Sequence, residues 1–204
     1  MCMVLECLIP HGHHNQELIP LTYYVKERKK LSEKEALHIF SNILTIVDAL
    51  HKQNIVHKDL KLCNIILNRR TLQVKLVNFY YAKLLNSDKE ITHDRRGSPS
   101  YFPPDIISGK LIAPKPCDMW STGVILYGML HGHLPFTGSS NSAAGLTLTP
   151  TLADLYSQIR NMDYTISNSI SISDGTKKLI TSLLCKDPYS RLKASEVICE
   201  NFYL

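Results

Sequence analysis

The stretch Ile55-Val-His-Lys-Asp-Leu-Lys-Leu-Cys-Asn-Ile-Ile-Leu67 contains the most informative polar residues of this chain. Within it, Asp59 is a carboxylate that can accept a hydroxyl proton, Lys61 is a cation two positions later, and Asn64 supplies an amide oxygen. These groups suit phosphoryl transfer, which needs a positioned nucleophile, positive charge beside the phosphate and oxygen ligands for Mg²⁺. A tight loop whose polar side chains satisfy its own backbone has the same composition, so the flanking sequence must decide.

The size and composition of the chain are typical of one globular domain. It has 204 residues, of which 44% are hydrophobic and 20% charged, enough apolar material for a sizeable core. The formal net charge of +5 is spread along the sequence rather than clustered. We interpret this charge as a solvated surface, with an affinity for acidic partners as the alternative, and expect no nucleic-acid partner.

The cysteine pattern and the apolar runs bear on the location of the protein. Six cysteines, at positions 2, 7, 63, 117, 185 and 199, form no C-x-x-C pair, so we expect reduced thiols in a cytoplasmic or nuclear protein. The apolar start, residues 1–9, contains Glu6 and has no basic leader, which argues against a signal peptide. The apolar run 123–130 is too short to span a bilayer, so no membrane partner is expected.

Several elements are predicted before residue 55. Residues 3–8 favour a short buried strand, and residues 11–15, with three histidines, an exposed turn rather than a metal site, because no carboxylate or cysteine lies at useful spacing. Residues 18–30 have apolar positions at helical spacing and a basic end. A capping box at 32–35 predicts a helix over about 33–52. Its predicted buried stripe consists of Leu37, Phe40, Ile43, Leu44, Val47 and Leu50.

From residue 65 onward the sequence predicts a hairpin, a loop and then helices. Residues 65–67 and 72–77 are apolar and flank a polar turn, as in a small β-hairpin, and residues 81–96 predict a mobile loop. Residues 118–130 predict a central buried helix with Asp118 as its N-cap. Further helices are predicted over residues 152–162, from residue 173 onward and over residues 194–199, with a turn at 186–192.

With these elements in order, the chain resembles a eukaryotic protein kinase over almost its whole length. Four signals carry the resemblance: the His-x-Asp-Leu-x-x-x-Asn pattern of 57–64, Asn78-Phe79, the stretch 97–105 and Asp118-x-Trp120-x-x-Gly123. They resemble the catalytic loop, the Asp-Phe-Gly triplet, the end of the activation segment and the helix that follows it. The resemblance implies an α+β, mostly helical fold.

The resemblance covers the C-terminal lobe of a kinase domain. It implies a partial domain over residues 1–204, with a hinge strand at 1–9, the lobe itself at 10–204 and a flexible low-complexity insertion at 137–151. A docking or phosphorylation site is the alternative interpretation of that insertion. The chain contains no Gly-rich loop and no Val-Ala-Ile-Lys strand, so we expect the N-terminal lobe to be absent, either because the chain is a fragment or because the lobe is truly missing. Because the strand at 3–8 then has no visible partner, we also expect the isolated chain to express poorly or to self-associate.

By this resemblance, eight residues take the positions of kinase site residues. Asp59 would be at the catalytic-base position and Lys61 at the phosphate-contacting position. Asn64 and Asn78 would be at the two magnesium-ligand positions. Structural roles are implied for His57, for Asp105 and Arg191 as an ion pair, and for Asp118 as the residue that holds the backbone of the catalytic loop.

Three residues depart from the kinase pattern and, together with the missing N-terminal lobe, bear on activity. Asn78 stands where kinases have a carboxylate, and an amide oxygen is a poorer ligand for Mg²⁺. Lys58 stands where kinases have an arginine and lacks the bidentate fork, which argues against control by phosphorylation of the activation loop. Tyr80 stands at a glycine position and restricts the backbone there.

The departures favour a scaffold over an enzyme. The segments Val77-Asn-Phe and Arg96-Gly-Ser-Pro-Ser-Tyr are similar to the corresponding segments of the Tribbles-related pseudokinases. This likeness implies a regulator of intracellular signalling that needs no cofactor or metal and binds signalling proteins, ubiquitin-ligase components among them. The alternative is an active serine/threonine protein kinase that uses ATP and Mg²⁺, with Asp59 as its base.

Overall fold

The computed structural model of the chain describes residues 17–109, 111–138, 150–167 and 170–200. Within these ranges the helices are long and the strands short, which confirms the α+β, mostly helical class. The strands are β1 (Leu18–Pro20), β2 (Ile55–Val56), β3 (Ile65–Asn68), β4 (Val74–Leu76) and β5 (Lys83–Leu84). The helices are α1 (Leu21–Arg28), α2 (Glu33–Lys52), α3 (Pro104–Ile107), α4 (Pro114–His131), α5 (Leu152–Asn161), α6 (Asp174–Leu183) and α7 (Ala194–Cys199). Single 3₁₀ turns cover Leu62–Asn64, Phe79–Tyr81, Pro99–Tyr101 and Pro188–Ser190.

Helix α4 is the centre of the hydrophobic core. Every residue from Asp118 to His131 is buried, as the continuous apolar run predicts, and the helix packs against α2 and α6. Gly123 allows the close approach of α6, because a Cβ atom at this position would lie 2.8 Å from Cβ of Leu183. The helix begins at Pro114 with Ala113 as its N-cap, so the prediction that Asp118 caps it is wrong. Proline favours the first helical position because its φ angle is already helical.

Helix α2 has the predicted bounds but only half of the predicted capping box. The Ser32 hydroxyl accepts a hydrogen bond from the backbone N–H of Glu35 at 3.3 Å. The Glu35 carboxylate instead accepts a hydrogen bond from the hydroxyl of Tyr24 in α1, at 2.6 Å. In a complete capping box it would accept one from the backbone N–H of Ser32.

The buried face of α2 differs slightly from the predicted stripe. Ala36 and Ile39 are fully buried, whereas Leu37 and Leu50 are half-buried. The reason is that α2 packs against α4 on one side and against β4 and α7 on others, which turns its most buried line toward Ala36 and Ile39.

The predicted helix over 18–30 is in fact a strand followed by a helix. Strand β1 pairs antiparallel with β3, with Ile19 opposite Leu67, and β3 pairs with β4 to complete a three-stranded sheet in the order β1-β3-β4. Pro20 explains the break, because a proline disfavours helical geometry in the residue before it. The predicted hairpin of β3 and β4 is confirmed.

The segment 81–96, predicted as a mobile loop, contains residues whose backbone is paired with other parts of the chain. Strand β5 pairs with β2, and Thr92 and Ile112 exchange two backbone hydrogen bonds of 2.9 Å. Both pairings join residues that are distant in sequence, so local polarity gives no sign of them. Tyr80 lies in a 3₁₀ turn without a positive φ, and the left-handed residue is Asn78, with φ of 62°.

The remaining predictions divide into confirmed helices and segments outside the described residues. The helices predicted over 152–162, from residue 173 and over 194–199 are confirmed as α5, α6 and α7. The strand and histidine-rich turn predicted within 1–16, and most of the insertion at 137–151, lie outside the described residues. No helix in the described ranges is long and apolar enough to cross a bilayer.

Candidate functional site

The loop between β2 and β3 contains the candidate site, and α4 fixes its backbone. The two carboxylate oxygens of Asp118 accept hydrogen bonds from the backbone N–H groups of His57 and Lys58, each at 2.9 Å. Lys58 has φ of 68°, a left-handed conformation that is costly for a residue with a side chain. The two bonds to Asp118 therefore stabilise a backbone geometry that the loop would not adopt alone.

Asp118 holds this loop as a buried anion. Its side chain is almost completely buried, and Nε2 of His51 lies 3.0 Å from Oδ2. Burial by itself raises the pKa of the Asp118 carboxyl, but the interactions with His51 and His57, the side-chain hydrogen bond with His51 foremost, outweigh burial. The net pKa lies below its usual value, so the carboxyl is ionised at neutral pH.

His57 connects the loop to the segment after β4. Its buried ring places Nε2 3.0 Å from the carbonyl oxygen of Val77, and Nδ1 accepts a hydrogen bond from the N–H of Asp59 at 3.2 Å. Because Nδ1 is an acceptor, Nε2 carries the proton and donates to Val77. The ring also contacts Phe79 at a centroid distance of 4.7 Å, so His57 contacts both neighbours of Asn78.

Asp59 is buried, with one carboxylate oxygen occupied and the other free. Oδ2 accepts a hydrogen bond from Nδ2 of Asn64 at 3.0 Å and lies 2.9 Å from Nζ of Lys61. Oδ1 is buried and has no hydrogen-bond partner within the described ranges. Lys61 also donates to the hydroxyl of Ser98 at 2.7 Å, which keeps the cation beside Asp59. A buried carboxylate oxygen without a partner is an unsatisfied acceptor, and a hydroxyl group of another molecule could reach it only after neighbouring side chains had moved.

The two predicted magnesium-ligand positions contact each other directly. Nδ2 of Asn78 donates to Oδ1 of Asn64 at 3.3 Å, and Nδ2 of Asn64 donates to the carbonyl oxygen of Asp59 at 2.8 Å. The oxygen of Asn64 that could face a metal thus already accepts a hydrogen bond. Since Mg²⁺ prefers carboxylate oxygen and near-octahedral geometry, the residues present do not fit this ion. In the part of the chain that the structure describes, no three His, Cys, Asp or Glu side chains form a metal-binding group.

Lys58 is ion-paired within its own chain. Its ammonium group donates to Oδ2 of Asp94, whose oxygens also accept hydrogen bonds from Nε and Nη2 of Arg96 at 2.8 and 2.7 Å. The hydrogen bonds from Arg96 and then from Lys58 hold the pKa of Asp94 well below its usual value. The segment before Gly97 therefore contacts the loop through a carboxylate.

Asp105 and Arg191 form a second cluster at the other end of this segment. Nη2 of Arg191 donates to Oδ2 of Asp105 at 2.5 Å, and Nε donates to the carbonyl oxygen of Cys185 at 2.7 Å. Nη1 reaches the carbonyl oxygen of Pro116 at 3.3 Å, and the guanidinium lies 5.2 Å from the centre of the Trp120 ring. This buried arginine links α3, α4 and the turn before α7.

The structure thus brings six of the eight predicted residues together around the loop and places Asp105 and Arg191 in a separate pair. Sequence reasoning did not assign roles to Ser98 or Asp94. Ser98 follows Gly97 in the recognised stretch 97–105, so its position could have indicated a contact. Asp94 is one of several charged residues in a segment that contains both acidic and basic side chains, and only the fold shows which cation it contacts.

A comparison with known families matches residues 1–203 to the protein kinase domain. The chain belongs to the protein kinase family. The expected kinase-like fold is therefore confirmed.

Curated protein kinases that are similar to this chain are longer than it is. Serine/threonine-protein kinase 40 of Gallus gallus is 42% identical over 198 residues, which cover 96% of this chain and 43% of that protein. The Homo sapiens protein of the same name is 40% identical over 200 residues, covering 97% and 43%. The carbon catabolite-derepressing protein kinase of Candida tropicalis is 36% identical over 180 residues, covering 88% and 27%. The chain spans less than half the length of these relatives.

Proposed function

We propose that this member of the protein kinase family is a pseudokinase, a scaffold or regulator of intracellular signalling that does not transfer phosphate. The observation that carries the proposal is the hydrogen bond from Asn78 to Asn64. It joins two neutral amides at the positions where a kinase of the resembled type holds its metal.

The missing carboxylate at position 78 weakens the binding of a metal ion through its charge. Phosphoryl transfer depends on positioning and on neutralising the charge that develops on the phosphate, and the metal ions supply much of that neutralisation. An ion entering here would find no carboxylate at position 78 and would have to displace the Asn78 donor from Oδ1 of Asn64. Both effects weaken metal binding, while the hydrogen-bonded amide pair is stable without an ion.

Under this proposal the protein acts through contacts with other proteins. ATP and Mg²⁺ are not required, and the partners are signalling proteins, ubiquitin-ligase components among them, in the cytoplasm or nucleus. The likeness of Val77-Asn-Phe and of Arg96-Gly-Ser-Pro-Ser-Tyr to the Tribbles-related pseudokinases supports this assignment.

Thermal unfolding with and without metal tests the proposal. We expect the melting temperature to be the same in ATP with MgCl₂ as in ATP with EDTA, within about 1 °C, because a ligand stabilises a protein only if it binds the native state. The matched variant Asn78→Asp restores a carboxylate, and its melting temperature should rise when MgCl₂ is added. A magnesium-dependent rise of several degrees in the unmodified protein would contradict the proposal.

An active serine/threonine kinase is the second candidate, and one observation favours it. Asp59, Lys61 and Ser98 form a connected set, and Oδ1 of Asp59 is free to accept a proton. Incubation with radiolabelled ATP, MgCl₂ and a generic protein substrate tests this candidate. Labelling of serine or threonine that disappears in an Asp59→Asn variant would establish the enzyme and exclude the pseudokinase.

A further inference from the structure

A cleft of about 590 Å³ lies outside the candidate site and has no role in the function proposed above. Its walls are the C-terminal end of α2, residues 88–91, the first turns of α4 and residues 189–195. We call it the α2–α4 cleft. Neither Asp59 nor Asn78 lines it. Its volume is that of a site for a drug-sized ligand or for several peptide side chains.

The α2–α4 cleft has exposed apolar side chains on its lining. Ile91 is 47% exposed and Tyr189 is 79% exposed, and both line the cleft together with the half-buried Leu192. Single exposed apolar residues are ordinary on a protein surface, but a group on one concave surface is typical of an interaction site. Exposed tyrosine in particular is enriched among the residues that dominate binding energy at interfaces.

Most charged side chains that line the cleft are paired. Within the lining, Lys52 pairs with Asp48 and Lys115 with Asp88, each at 2.6 Å. These pairs leave no net charge on this part of the wall.

Two further lining charges have partners outside the cleft. Glu90 pairs with Lys83 at 2.5 Å, and Arg191 pairs with Asp105. They too are neutralised within the protein.

Lys89 and Lys193 are the exceptions. Both line the cleft, both are exposed, and in the described part of the chain neither ammonium group forms an ion pair or hydrogen bond. The cleft therefore combines exposed apolar side chains with two lysines that have no direct ion pair among the described residues, although the charge of Lys193 helps to lower the pKa of Asp88.

We propose that the α2–α4 cleft is a docking site for an acidic peptide segment of a partner protein, with acidic residues beside a large apolar one. The apolar side chain would pack against Ile91 and Tyr189, and the acidic groups would neutralise Lys89 and Lys193. Long polyanions fit the cleft poorly, because its lining, as far as the structure describes it, offers only two lysines without an ion pair, whereas proteins that bind polyanions tightly use many cations. A bilayer is a flat surface, whereas the cleft is concave. The proposal stands whether or not the kinase site is active.

Selection from a random peptide library displayed on phage tests the proposal with the full chain as bait. We expect the enriched peptides to combine two or more acidic residues with a large apolar residue. In fluorescence polarisation, Lys89→Glu and Lys193→Glu should each weaken the best peptide about tenfold, and Tyr189→Ala should weaken it by a similar factor. Affinity should fall as salt is raised, because the unpaired lysines are exposed.

Two control variants separate the cleft from general surface effects. Lys178 on α6 and Tyr23 on α1 are exposed residues that do not line the cleft, so Lys178→Glu and Tyr23→Ala should leave peptide affinity unchanged. Each variant is used only where its melting temperature matches the parent. A library that yields no binder, binders without acidic residues, or binders insensitive to the cleft variants would overturn the proposal. Co-flotation with phosphatidylserine vesicles that Lys89→Glu and Lys193→Glu abolish would also overturn it, in favour of a membrane surface.

Discussion

Asp118 and His57 are 61 residues apart in sequence and are joined by a 2.9 Å hydrogen bond from the His57 backbone to the Asp118 carboxylate. The other carboxylate oxygen accepts from Lys58 at the same distance. One side chain on the central helix thus fixes the conformation of the loop that holds Asp59. The fold and the candidate site therefore depend on the same residue.

Removing the Asp118 carboxylate should destabilise the whole domain. Asp118→Ala leaves two buried backbone donors without an acceptor, and we expect a loss of roughly 2–4 kcal/mol in the free energy of unfolding. Urea denaturation measures it. Asp163→Ala, at an exposed position, is the control and should change stability by less than about 0.5 kcal/mol. A similar small change for Asp118→Ala would mean that water replaces the carboxylate without cost.

Gly123 should be intolerant of even a methyl group. The added Cβ would lie 2.8 Å from Cβ of Leu183 and 3.1 Å from Leu184, so α6 must move away from α4. We expect Gly123→Ala to cost about 1–3 kcal/mol, as overpacking of a core does. In Gly175→Ala, in the first turn of α6, the new Cβ would lie 3.7 Å from its nearest neighbour, Ser173. This change should stabilise by about 0.4–1 kcal/mol, because alanine has fewer conformations than glycine in the unfolded chain. A melting temperature below that of the parent for Gly123→Ala and above it for Gly175→Ala would verify the prediction.

The sequence predicts the helices better than the sheet, for a physical reason. Helix α2 is specified by a local cap at Ser32 and by a periodic apolar stripe. Strand β1 is not, because Leu18, Leu21 and Tyr24 also fit a helical period, and the pairing that decides the strand comes from β3, almost fifty residues away. Local patterns carry no information about such a distant partner.

The same division holds for the candidate site. Asp59, Lys61 and Asn64 lie within six residues, so their proximity follows from the sequence alone. The hydrogen bond between Asn64 and Asn78 and the ion pair between Lys58 and Asp94 depend on how the chain returns to the loop. The residue types determine which kinds of contact these side chains can form, but only the fold shows which residues contact each other.

Arg191 should be irreplaceable by lysine. Its guanidinium donates to Asp105 and to three backbone carbonyl oxygens, of Cys185, Pro116 and Lys186, whereas a lysine ammonium cannot span all four acceptors. We expect Arg191→Ala to lose roughly 3–5 kcal/mol of stability and Arg191→Lys to recover only part of it. Chemical denaturation of both variants gives the comparison.

An exposed arginine provides the control for this prediction. Arg69 pairs with Glu27 on the surface, and its conversion to lysine should have no measurable effect. If Arg191→Lys were as stable as the parent protein, positive charge alone, rather than the geometry of the guanidinium, would hold the segment.

The ion pair of Asp94 should make stability depend on pH at the acidic end. Arg96 and Lys58 lower the pKa of this carboxyl in the folded state, whereas in the unfolded chain it is about 3.9. The stabilisation is therefore complete above about pH 5 and is lost as the pH falls through the unfolded-state pKa toward the folded-state pKa. At pH 7 we expect Asp94→Asn to lose roughly 1–2 kcal/mol, a modest value because the pair is partly exposed to solvent.

The pH profile distinguishes this ionic contribution from loss of packing. Because asparagine is neutral at every pH, the difference in unfolding free energy between the parent and Asp94→Asn should shrink between pH 5 and 3, measured by urea denaturation at each pH. The exposed Asp163, replaced by asparagine, serves as the control and should show no measurable difference at pH 7. A difference for Asp94→Asn that stayed constant down to pH 3 would show that its ionisation contributes nothing. The segment before Gly97 would then be held by the shape of the side chain and not by its charge.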